Sequence, residues 1–355
     1  MNKPIEAKNL FERNPKKTVI FFILLTGLAL DVTLGKLFIP LTQLVRNSYY
    51  HHELKRNFKG RLSGRYCAYG IYTNSFAFKD KSRRKIETAN SKYRILFIGD
   101  SFTEGVNLPY EKTFVGIIDQ GLDKNNFEVL NAGVSSFSPK LYYLKIKHLL
   151  ETIGLKFDEL NVFIDISDIQ NEIGYENYFP SEEIIMHLLV NVHVFFKQNS
   201  FIYYSLHELY RNSSKCSNKQ EAWKNKANWY ANEALWTNDE KLFKAWGRKG
   251  LKLAKENMDN LYNLCKKNRI ELTIAVYPWP IQIKNRELNS KQAVFWQAFC
   301  KKRDIDFINF FPDFINDSAS EEVISNYYIK DDVHFNENGH RLIAEKWLRL
   351  FSKRR

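Results

Sequence analysis

The stretch "RILFIGDSFTEG", from Arg94 to Gly105, decides how this chain should fold. Its first half is a short run of aliphatic and β-branched residues, which is typical of a strand buried in a parallel sheet. The run ends abruptly in Gly99, Asp100 and Ser101. This ending is either an ordinary turn or a turn that holds a serine at the carboxyl edge of a sheet, where open α/β sheets bind their ligands.

From Tyr93 onward, strand-like and helix-like segments alternate. Five segments have the composition of buried strands: "YRILFIG", "FEVLNAG", "ELNVFIDIS", "IELTIAVYP" and "DIDFINFF". Such alternation predicts a parallel sheet covered by helices on both sides. The stretch from Gly174 to Arg269 is too long for a simple crossover, so we expect a helical insertion at about 175–235.

The N-terminal region predicts a membrane anchor. Basic residues precede an apolar run from Thr18 to Leu30, and after Asp31 apolar and small residues continue to Gly35. A transmembrane helix needs roughly 17–25 residues. Since no small-residue cleavage site follows, we expect a retained signal anchor, with the bulk of the chain on the periplasmic or extracellular side. Asp31 either lies near the outer interface or pairs within the membrane with a partner protein.

These patterns divide the chain into four parts. We expect a cytoplasmic N-terminus at 1–17, a transmembrane signal anchor at 18–38, a juxtamembrane stalk at 39–92 and a catalytic domain at 93–355.

Composition restricts the partners. The chain has 355 residues, 44% of them hydrophobic, which allows a sizeable core, and a net charge of +13. The basic residues are spread along the chain without a nucleic-acid motif, so we expect a solvated basic surface or attraction to an anionic glycan or lipid, and no nucleic-acid partner. The four cysteines lie far apart without a CxxC pair, so neither a zinc site nor another metal or cofactor is expected.

Polar clusters follow the predicted strands. In chain order they are Gly99-Asp100-Ser101, Asn131-Ala132-Gly133, Asp165-Ile166-Ser167-Asp168 with Asn171 just beyond, and "DDVHF" before the last helix, which contains Asp331, Asp332 and His334. Because parallel strands end at one edge of the sheet, these clusters together predict a single site.

The chemistry that these residues support is acyl transfer through a serine. A serine hydroxyl needs a base to take its proton, and His334 is suited to that task. We expect Asp331, three residues before the histidine, to fold back and orient the ring, with Asp332 aimed differently. The N–H groups of Ser101 and Gly133 would stabilise the oxyanion, together with a side-chain donor after the third strand.

The blocks "GDSFTEG", "NAGVSS" and "DDVH", in this order, resemble those of the SGNH (GDSL-type) esterases and lipases. The resemblance covers the chain from about Tyr93 to its end, apart from the insertion. It implies a flavodoxin-like three-layer α/β/α sandwich with a parallel five-stranded sheet. It also implies that Ser101 is the nucleophile, Gly133 an oxyanion donor, and Asp331 and His334 the rest of a triad.

The third block departs from the family pattern, which has Gly-x-Asn-Asp at this place. The residues here are "DISD", so Asp165 replaces the glycine and Ser167 replaces the asparagine that donates to the oxyanion. This leaves Ser167 or Asn171 as the third donor. Asp100, Asp165 and Asp168 are expected to line the site.

The resulting hypothesis is a single-pass membrane-anchored serine esterase that hydrolyses O-acyl esters, with O-acetyl groups on an envelope carbohydrate as the preferred substrate. An alternative is an O-acyltransferase that modifies a cell-envelope polysaccharide, with a multi-spanning acyl exporter as partner. A further alternative is a non-catalytic assembly protein on the same fold.

Overall fold

A computed structural model describes residues 10–40, 43–63, 68–180, 183–214 and 232–355. The chain forms two compact units, one of residues 1–41 with 183–223 and the other of residues 42–182 with 224–355. The second unit contains the strands and the polar clusters identified above.

The strands are β1 (Leu44–Asn47), β2 (His51–Leu54), β3 (Lys59–Ser63), β4 (Ala68–Thr73), β5 (Lys79–Asp80), β6 (Tyr93–Gly99), β7 (Phe127–Asn131), β8 (Glu159–Ile164), β9 (Glu271–Val276) and β10 (Asp306–Asn309). β1 and β2 form a separate antiparallel pair, and the others form one sheet in the order β10-β9-β8-β6-β7-β5-β4-β3. The five strands from β6 to β10 are parallel and have the doubly wound order 2-1-3-4-5.

The predicted strand count is wrong, although all five predicted parallel strands are present. The sheet has eight strands, because β3, β4 and β5 add an antiparallel extension beyond β7. These three strands lie in the region expected to be a stalk. Burial alternates along β4, and its inward residues Tyr69 and Ile71 pack against Phe58, as in an antiparallel strand with one covered face.

The α-helices are α1 (Leu10–Arg13), α2 (Pro15–Phe38), α3 (Ser101–Glu104), α4 (Phe114–Gly121), α5 (Pro139–Lys147), α6 (Asp168–Gly174), α7 (Ile184–Asn199), α8 (Phe201–Ser214), α9 (Glu240–Leu242), α10 (Arg248–Asn268), α11 (Pro280–Lys284), α12 (Lys291–Arg303), α13 (Phe311–Phe314), α14 (Ser320–Tyr327) and α15 (Glu337–Arg354). A 3₁₀ turn spans Tyr110–Lys112, and π-helical turns span His148–Ile153 and Phe243–Gly247. α4 packs with α15, and α10 packs with α5 and α6.

The C-terminal helix α15 docks on the centre of the sheet. Trp347 is fully buried, its ring lies 5.3 Å from that of Phe97 on β6, and its indole N–H donates to Asn161 Oδ1 on β8 over 2.8 Å. Because His334 comes just before α15 in the chain, this docking fixes the segment that carries the histidine close to the end of β6.

In the first unit, α2 packs against α7 and α8. Among the described residues α2 alone is long and apolar enough to cross a membrane by length and composition, with a mean hydropathy of 2.1. The carboxylate of Asp31 accepts a hydrogen bond of 2.8 Å from the N–H of Ile202 at the start of α8. The acid that interrupts the apolar run is therefore paired within the chain itself.

The predicted insertion at 175–235 contains α7 and α8, and its residues 215–231 lie outside the described part of the chain. Cys67 and Cys216 also lie outside it. Cys265 and Cys300 are buried free thiols.

Gly250 on α10 allows a close contact with the segment that follows β8. A Cβ at Gly250 would lie 2.2 Å from the carbonyl oxygen of Ile169 on α6. Alanine normally favours a helix over glycine by about 1 kcal/mol. Here we expect Gly250→Ala to lower the free energy of unfolding of the detergent-solubilised chain by about 1–3 kcal/mol, as measured by chemical denaturation.

Gly174, at the end of α6, provides the control, because a Cβ there meets nothing within 4 Å. Gly174→Ala should leave stability unchanged or raise it. Equal effects of the two substitutions would contradict the close contact at Gly250.

Candidate active site

Ser101 is presented by a tight exit from β6. A Cβ on Gly99 would lie 2.1 Å from Thr103 Oγ1 and 2.8 Å from the carbonyl oxygen of Phe163, so the exit requires a glycine. Asp100 then caps α3, because its Oδ1 accepts from the N–H of Phe102 over 3.0 Å. Ser101 is thereby placed at the first position of α3, partly exposed, at the carboxyl edge of the sheet.

The structure brings Ser101 and His334 together, although 233 residues separate them in the chain. The distance between Ser101 Oγ and His334 Nε2 is 2.8 Å. On the other side of the ring, His334 Nδ1 lies 2.6 Å from Asp332 Oδ1. A nucleophile, a base and a carboxylate that orients the base are thus connected in one line.

The acid in this line is Asp332, so the expectation that Asp331 orients His334 is corrected. Asp332 Oδ1 accepts both the backbone N–H of His334, over 3.1 Å, and its Nδ1, which closes a short turn two residues long. Asp331 is exposed and has a left-handed backbone with φ of 55°. The spacing of three residues favoured Asp331, but the turn directs the nearer carboxylate to the ring.

The protonation of Asp332 fits this role. Partial burial acts to raise its pKa, but the hydrogen bonds and charge of His334 outweigh burial and lower the pKa to about 2. The carboxylate is therefore ionised at neutral pH and available to stabilise a protonated imidazole. The ring of Phe102 lies 4.9 Å from the His334 ring and packs against Phe335, which restricts the position of the imidazole.

Gly133 does not offer a free oxyanion donor. Its N–H donates to Asn131 Oδ1 over 3.0 Å, because the asparagine side chain folds back onto the residue two positions later. The predicted contribution of Gly133 is therefore absent from this arrangement. The N–H of Ser101 lies in the first turn of α3, where N–H groups have no partner within the helix, so it remains a candidate donor.

The third predicted donor is also occupied elsewhere. Ser167 directs both its N–H, over 2.6 Å, and its hydroxyl to the carboxylate of Asp165. Asn171 is partly buried, and its N–H donates to the carbonyl of Ser167 in the first turn of α6. The indole of Trp279 donates to Asp165 Oδ2 over 2.6 Å. Asp165 is thus held as an acceptor.

Three buried carboxyl groups meet beneath Ser101. One oxygen from each of Asp100, Asp165 and Asp168 lies within 4.8 Å of the others. Asp168 Oδ1 has no hydrogen-bond partner among the described residues, whereas every other oxygen of the three groups lies within hydrogen-bond distance of a polar group. Burial, with the repulsion of neighbouring carboxylates at Asp100 and Asp168, raises the pKa of all three groups, and for Asp100 and Asp168 the pKa lies well above its usual range.

Two tyrosines, one on α5 and one after β9, donate to this cluster. Tyr142 donates to Asp168 over 2.7 Å, and Tyr277 donates to Asp100 over 3.3 Å. These hydrogen bonds act to lower the pKa of the carboxyl groups, but burial outweighs them and the pKa of each group is raised.

The second polar loop is held by residues that sequence reasoning missed. The buried carboxylate of Glu104 accepts from both the N–H and the hydroxyl of Ser135, over 2.8 and 2.7 Å. Lys145 donates to the carbonyl of Ala132 over 3.0 Å, and burial lowers its pKa to about 7. His52 Nε2 lies 2.8 Å from the carbonyl oxygen of Ser135. In the sequence, the position of Glu104 within the "GDSFTEG" block was the one indication of its contact with Ser135.

The segment after the insertion also reaches the site. The indole of Trp236 donates to the carbonyl of Ile166 over 3.1 Å. Burial, followed by the charge of Asp165, raises the pKa of Glu233 to about 7. Residues 232–238 are thus fixed beside the loop after β8.

Comparisons with known proteins give structural neighbours only. No protein-family model and no curated protein matches the chain. The chain is similar to a lipolytic protein of the G-D-S-L family from Veillonella parvula, with 16% identity, coverage of 73% of this chain and 98% of that chain, and a TM-score of 0.37. It is also similar to the psychrotrophic esterase EstA from Pseudoalteromonas sp., with 12% identity, coverage of 74% and 98%, and a TM-score of 0.42.

A third neighbour is a catalytic mutant of an acetylxylan esterase from Geobacillus stearothermophilus, with 15% identity, coverage of 74% of this chain and 95% of that chain, and a TM-score of 0.40. At these identities and TM-scores the likeness does not define the chemistry of this chain.

The two adjacent aspartates give a direct test of the geometry. Asp332→Asn replaces the carboxylate with an amide whose NH₂ group can donate to His334 Nδ1 and select the wrong tautomer, so we expect about 10⁴-fold slower turnover of an activated ester. Asp331→Asn changes an exposed residue outside the relay and should leave the rate nearly unchanged. Steady-state hydrolysis of 4-nitrophenyl acetate by both variants measures this, and the opposite ranking would show that Asp331 is the orienting acid.

The carboxyl cluster predicts how stability depends on pH. The folded pKa of Asp168 lies above its unfolded value of about 3.9, so the folded chain holds the extra proton and loses stability as pH rises. Asp168→Asn keeps an acceptor for Tyr142 and places an amide at the unpartnered Oδ1. The fall in Tm between pH 5 and pH 8 should therefore be smaller in this variant than in the wild type.

Asp317→Asn, at an exposed residue, serves as the control and should behave as the wild type. The lowered pKa of Asp332 stabilises the folded chain at higher pH instead of at lower pH. This stabilisation is lost only as pH falls toward about 2. An equal fall in Tm for Asp168→Asn and the wild type would contradict proton retention at Asp168.

Proposed function

We propose that this chain is a serine-dependent ester hydrolase of the SGNH (GDSL-type) family. The observation that carries the proposal is the continuous line from Ser101 Oγ through the imidazole of His334 to Asp332, with contacts of 2.8 and 2.6 Å. It lies at the carboxyl edge of a doubly wound sheet, where such folds bind ligands. The sequence blocks supply the same serine and histidine.

In the first half of the reaction, Ser101 Oγ attacks the ester carbonyl carbon while His334 Nε2 accepts the hydroxyl proton. The ionised carboxylate of Asp332 stabilises the resulting imidazolium. His334 then returns the proton to the departing alcohol oxygen, which breaks the ester bond and leaves the acyl group on Ser101. In the second half, His334 takes a proton from water while the water oxygen attacks the acyl carbon. His334 then returns that proton to Ser101 Oγ as the bond between Oγ and the acyl carbon breaks and the acid leaves.

The neighbouring carboxyl group is compatible with this sequence. Ser101 Oγ also lies 3.2 Å from Asp100 Oδ2. The hydroxyl has one proton, and the shorter contact directs it to His334. Burial and the charge of Asp165 raise the pKa of Asp100 well above its usual range, which favours the protonated form of Asp100.

We further propose that α2 anchors the chain in a membrane as a single pass, with the catalytic unit on the periplasmic or extracellular side. The length and hydropathy of α2 support the anchor, and the basic residues before it support the orientation. An enzyme in this position faces envelope glycans, so an O-acyl ester, above all O-acetyl on a carbohydrate, is the proposed substrate.

A second candidate is an O-acyltransferase with a multi-spanning acyl exporter as partner. The observation that favours it is the occupation of the predicted oxyanion donors at Gly133 and Ser167, together with Asp165 in the place of the family's glycine. An acyl-enzyme on Ser101 would then pass its acyl group to a sugar hydroxyl instead of water.

The experiment measures hydrolysis of 4-nitrophenyl acetate by the full chain in detergent. Ser101→Ala should abolish turnover, because the hydroxyl that forms the acyl-enzyme is lost, whereas Ser352→Ala, at an exposed serine on α15, should leave turnover unchanged. Wild-type rates in the Ser101 variant would overturn the assignment.

The same assay with an acetylated donor and a glycan acceptor separates the two candidates. Mass-spectrometric detection of acetylated acceptor in excess of free acetate favours the transferase, and the reverse ratio favours the esterase. A wild-type chain that turns over no acyl donor would favour the non-catalytic assembly protein.

A further inference from the structure

We propose that the helical hairpin formed by α7 and α8, hereafter the hairpin, lies in the lipid bilayer beside α2 as a monotopic membrane element. The inference rests on the proposed anchoring of α2. It adds a second contact with the membrane, from a segment more than 140 residues further along the chain.

The outward side of the hairpin is apolar. None of the residues of α7 is buried within the chain, and the exposed residues of α8 recur at helical spacing. The large hydrophobic residues exposed on this outward side are Ile184, Ile185, Met186, Leu188, Leu189, Val192, Phe195 and Phe196 on α7, and Ile202, Leu206, Leu209 and Tyr210 on α8. Leu189 and Leu206 are 54% and 62% exposed, so no residue of the described part of the chain covers them.

The inward side of the hairpin is polar, which reverses the pattern of a helix pair in water. His193 Nδ1 lies 2.8 Å from the hydroxyl oxygen of Tyr203, and the rings of His193 and His207 are 5.3 Å apart. Lys197 Nζ lies 4.0 Å from the carboxylate of Glu208. Polar groups that pair with each other while apolar groups face outward suit an apolar solvent.

The contacts of the hairpin with α2 indicate that the apolar medium around the hairpin is lipid. Asp31 accepts from the N–H of Ile202, a Cβ on Gly35 would lie 2.4 Å from the carbonyl oxygen of Asn199, and the rings of Phe38 and Phe201 are 5.8 Å apart. The turn of the hairpin therefore packs on the last third of α2. The exposed apolar surface of α2 continues onto the hairpin, so one medium covers both.

The length of the helices limits how the hairpin lies in the bilayer. α7 and α8 have 16 and 14 residues, which correspond to about 24 and 21 Å. Both are shorter than the roughly 30 Å hydrocarbon core. The hairpin contacts α2 near Phe38, the end from which the chain continues into the second unit, so it enters the leaflet at that end and does not cross the membrane.

The test places nitroxide spin labels on the full chain reconstituted into phosphatidylcholine–phosphatidylglycerol vesicles, with Cys67 and Cys216 replaced by serine. Labels at Leu189→Cys and Leu206→Cys report on the hairpin. Leu25→Cys on α2 is the lipid control, and Lys302→Cys, exposed on α12, is the water control. Power saturation compares the accessibility of each label to oxygen, which concentrates in lipid, with that to a water-soluble nickel chelate.

We expect the labels at Leu189 and Leu206 to behave as Leu25 does, with high oxygen and low nickel accessibility, while Lys302 shows the reverse. Nickel-accessible labels on the hairpin beside a lipid-exposed Leu25 would overturn the inference and indicate a docking surface for a partner protein, since the vesicles contain none. A nickel-accessible Leu25 would overturn the anchor and this inference together. Ester hydrolysis by each labelled chain reports folding, and tests the catalytic proposal independently of all these outcomes.

Discussion

The site depends on the hydrogen bond between Ser101 and His334, which closes a loop of more than two hundred residues. Neither partner can move freely, because the serine is fixed by the glycine exit and aspartate cap at the end of β6, and the histidine is fixed by α15. That helix is in turn held on the sheet by Trp347 through Phe97 and Asn161. The packing of the core therefore sets the distance between nucleophile and base, as efficient catalysis requires.

A second constraint is the concentration of acid beneath the serine. Three carboxyl groups share one buried space, and a low-dielectric interior opposes three negative charges there. The environment lowers the pKa of Asp332 to about 2, next to His334, and raises the pKa of Asp100, Asp165 and Asp168 in the buried space beneath Ser101. Because of these different pKa values, His334 is the base that contacts Ser101, although four carboxyl groups lie nearby.

Sequence reasoning succeeded where periodicity or a short motif carries the information. The parallel strands, the helical insertion and the meeting of Ser101 with His334 follow from apolar runs and from polar residues at strand ends. Sequence reasoning failed where a turn or a long-range strand pairing determines the structure. The extension by β3, β4 and β5 depends on pairing with β7, and local spacing alone does not select Asp332 over Asp331. The loss of Gly133 as a donor depends on the rotamer of Asn131, which no pattern records.

The residues that hold the loops were hidden for a related reason. Glu104, Lys145 and Trp279 are polar or amphipathic residues whose partners lie far away in the sequence, in the loops after β7 and β8. Their burial becomes evident only once the sheet is assembled. Charged residues that are fully buried are rare unless paired, so each is more informative in the structure than in the sequence.

The central claim is that His334 activates Ser101 as a nucleophile, and covalent trapping tests it most directly. The full chain is treated with a fluorophosphonate and digested, and the modified peptide is located by mass spectrometry. We predict a phosphonyl adduct on Ser101 that forms rapidly in the wild type and is nearly lost in His334→Ala. Absence of an adduct on Ser101 in the folded wild type, or equal labelling in the two proteins, would contradict it.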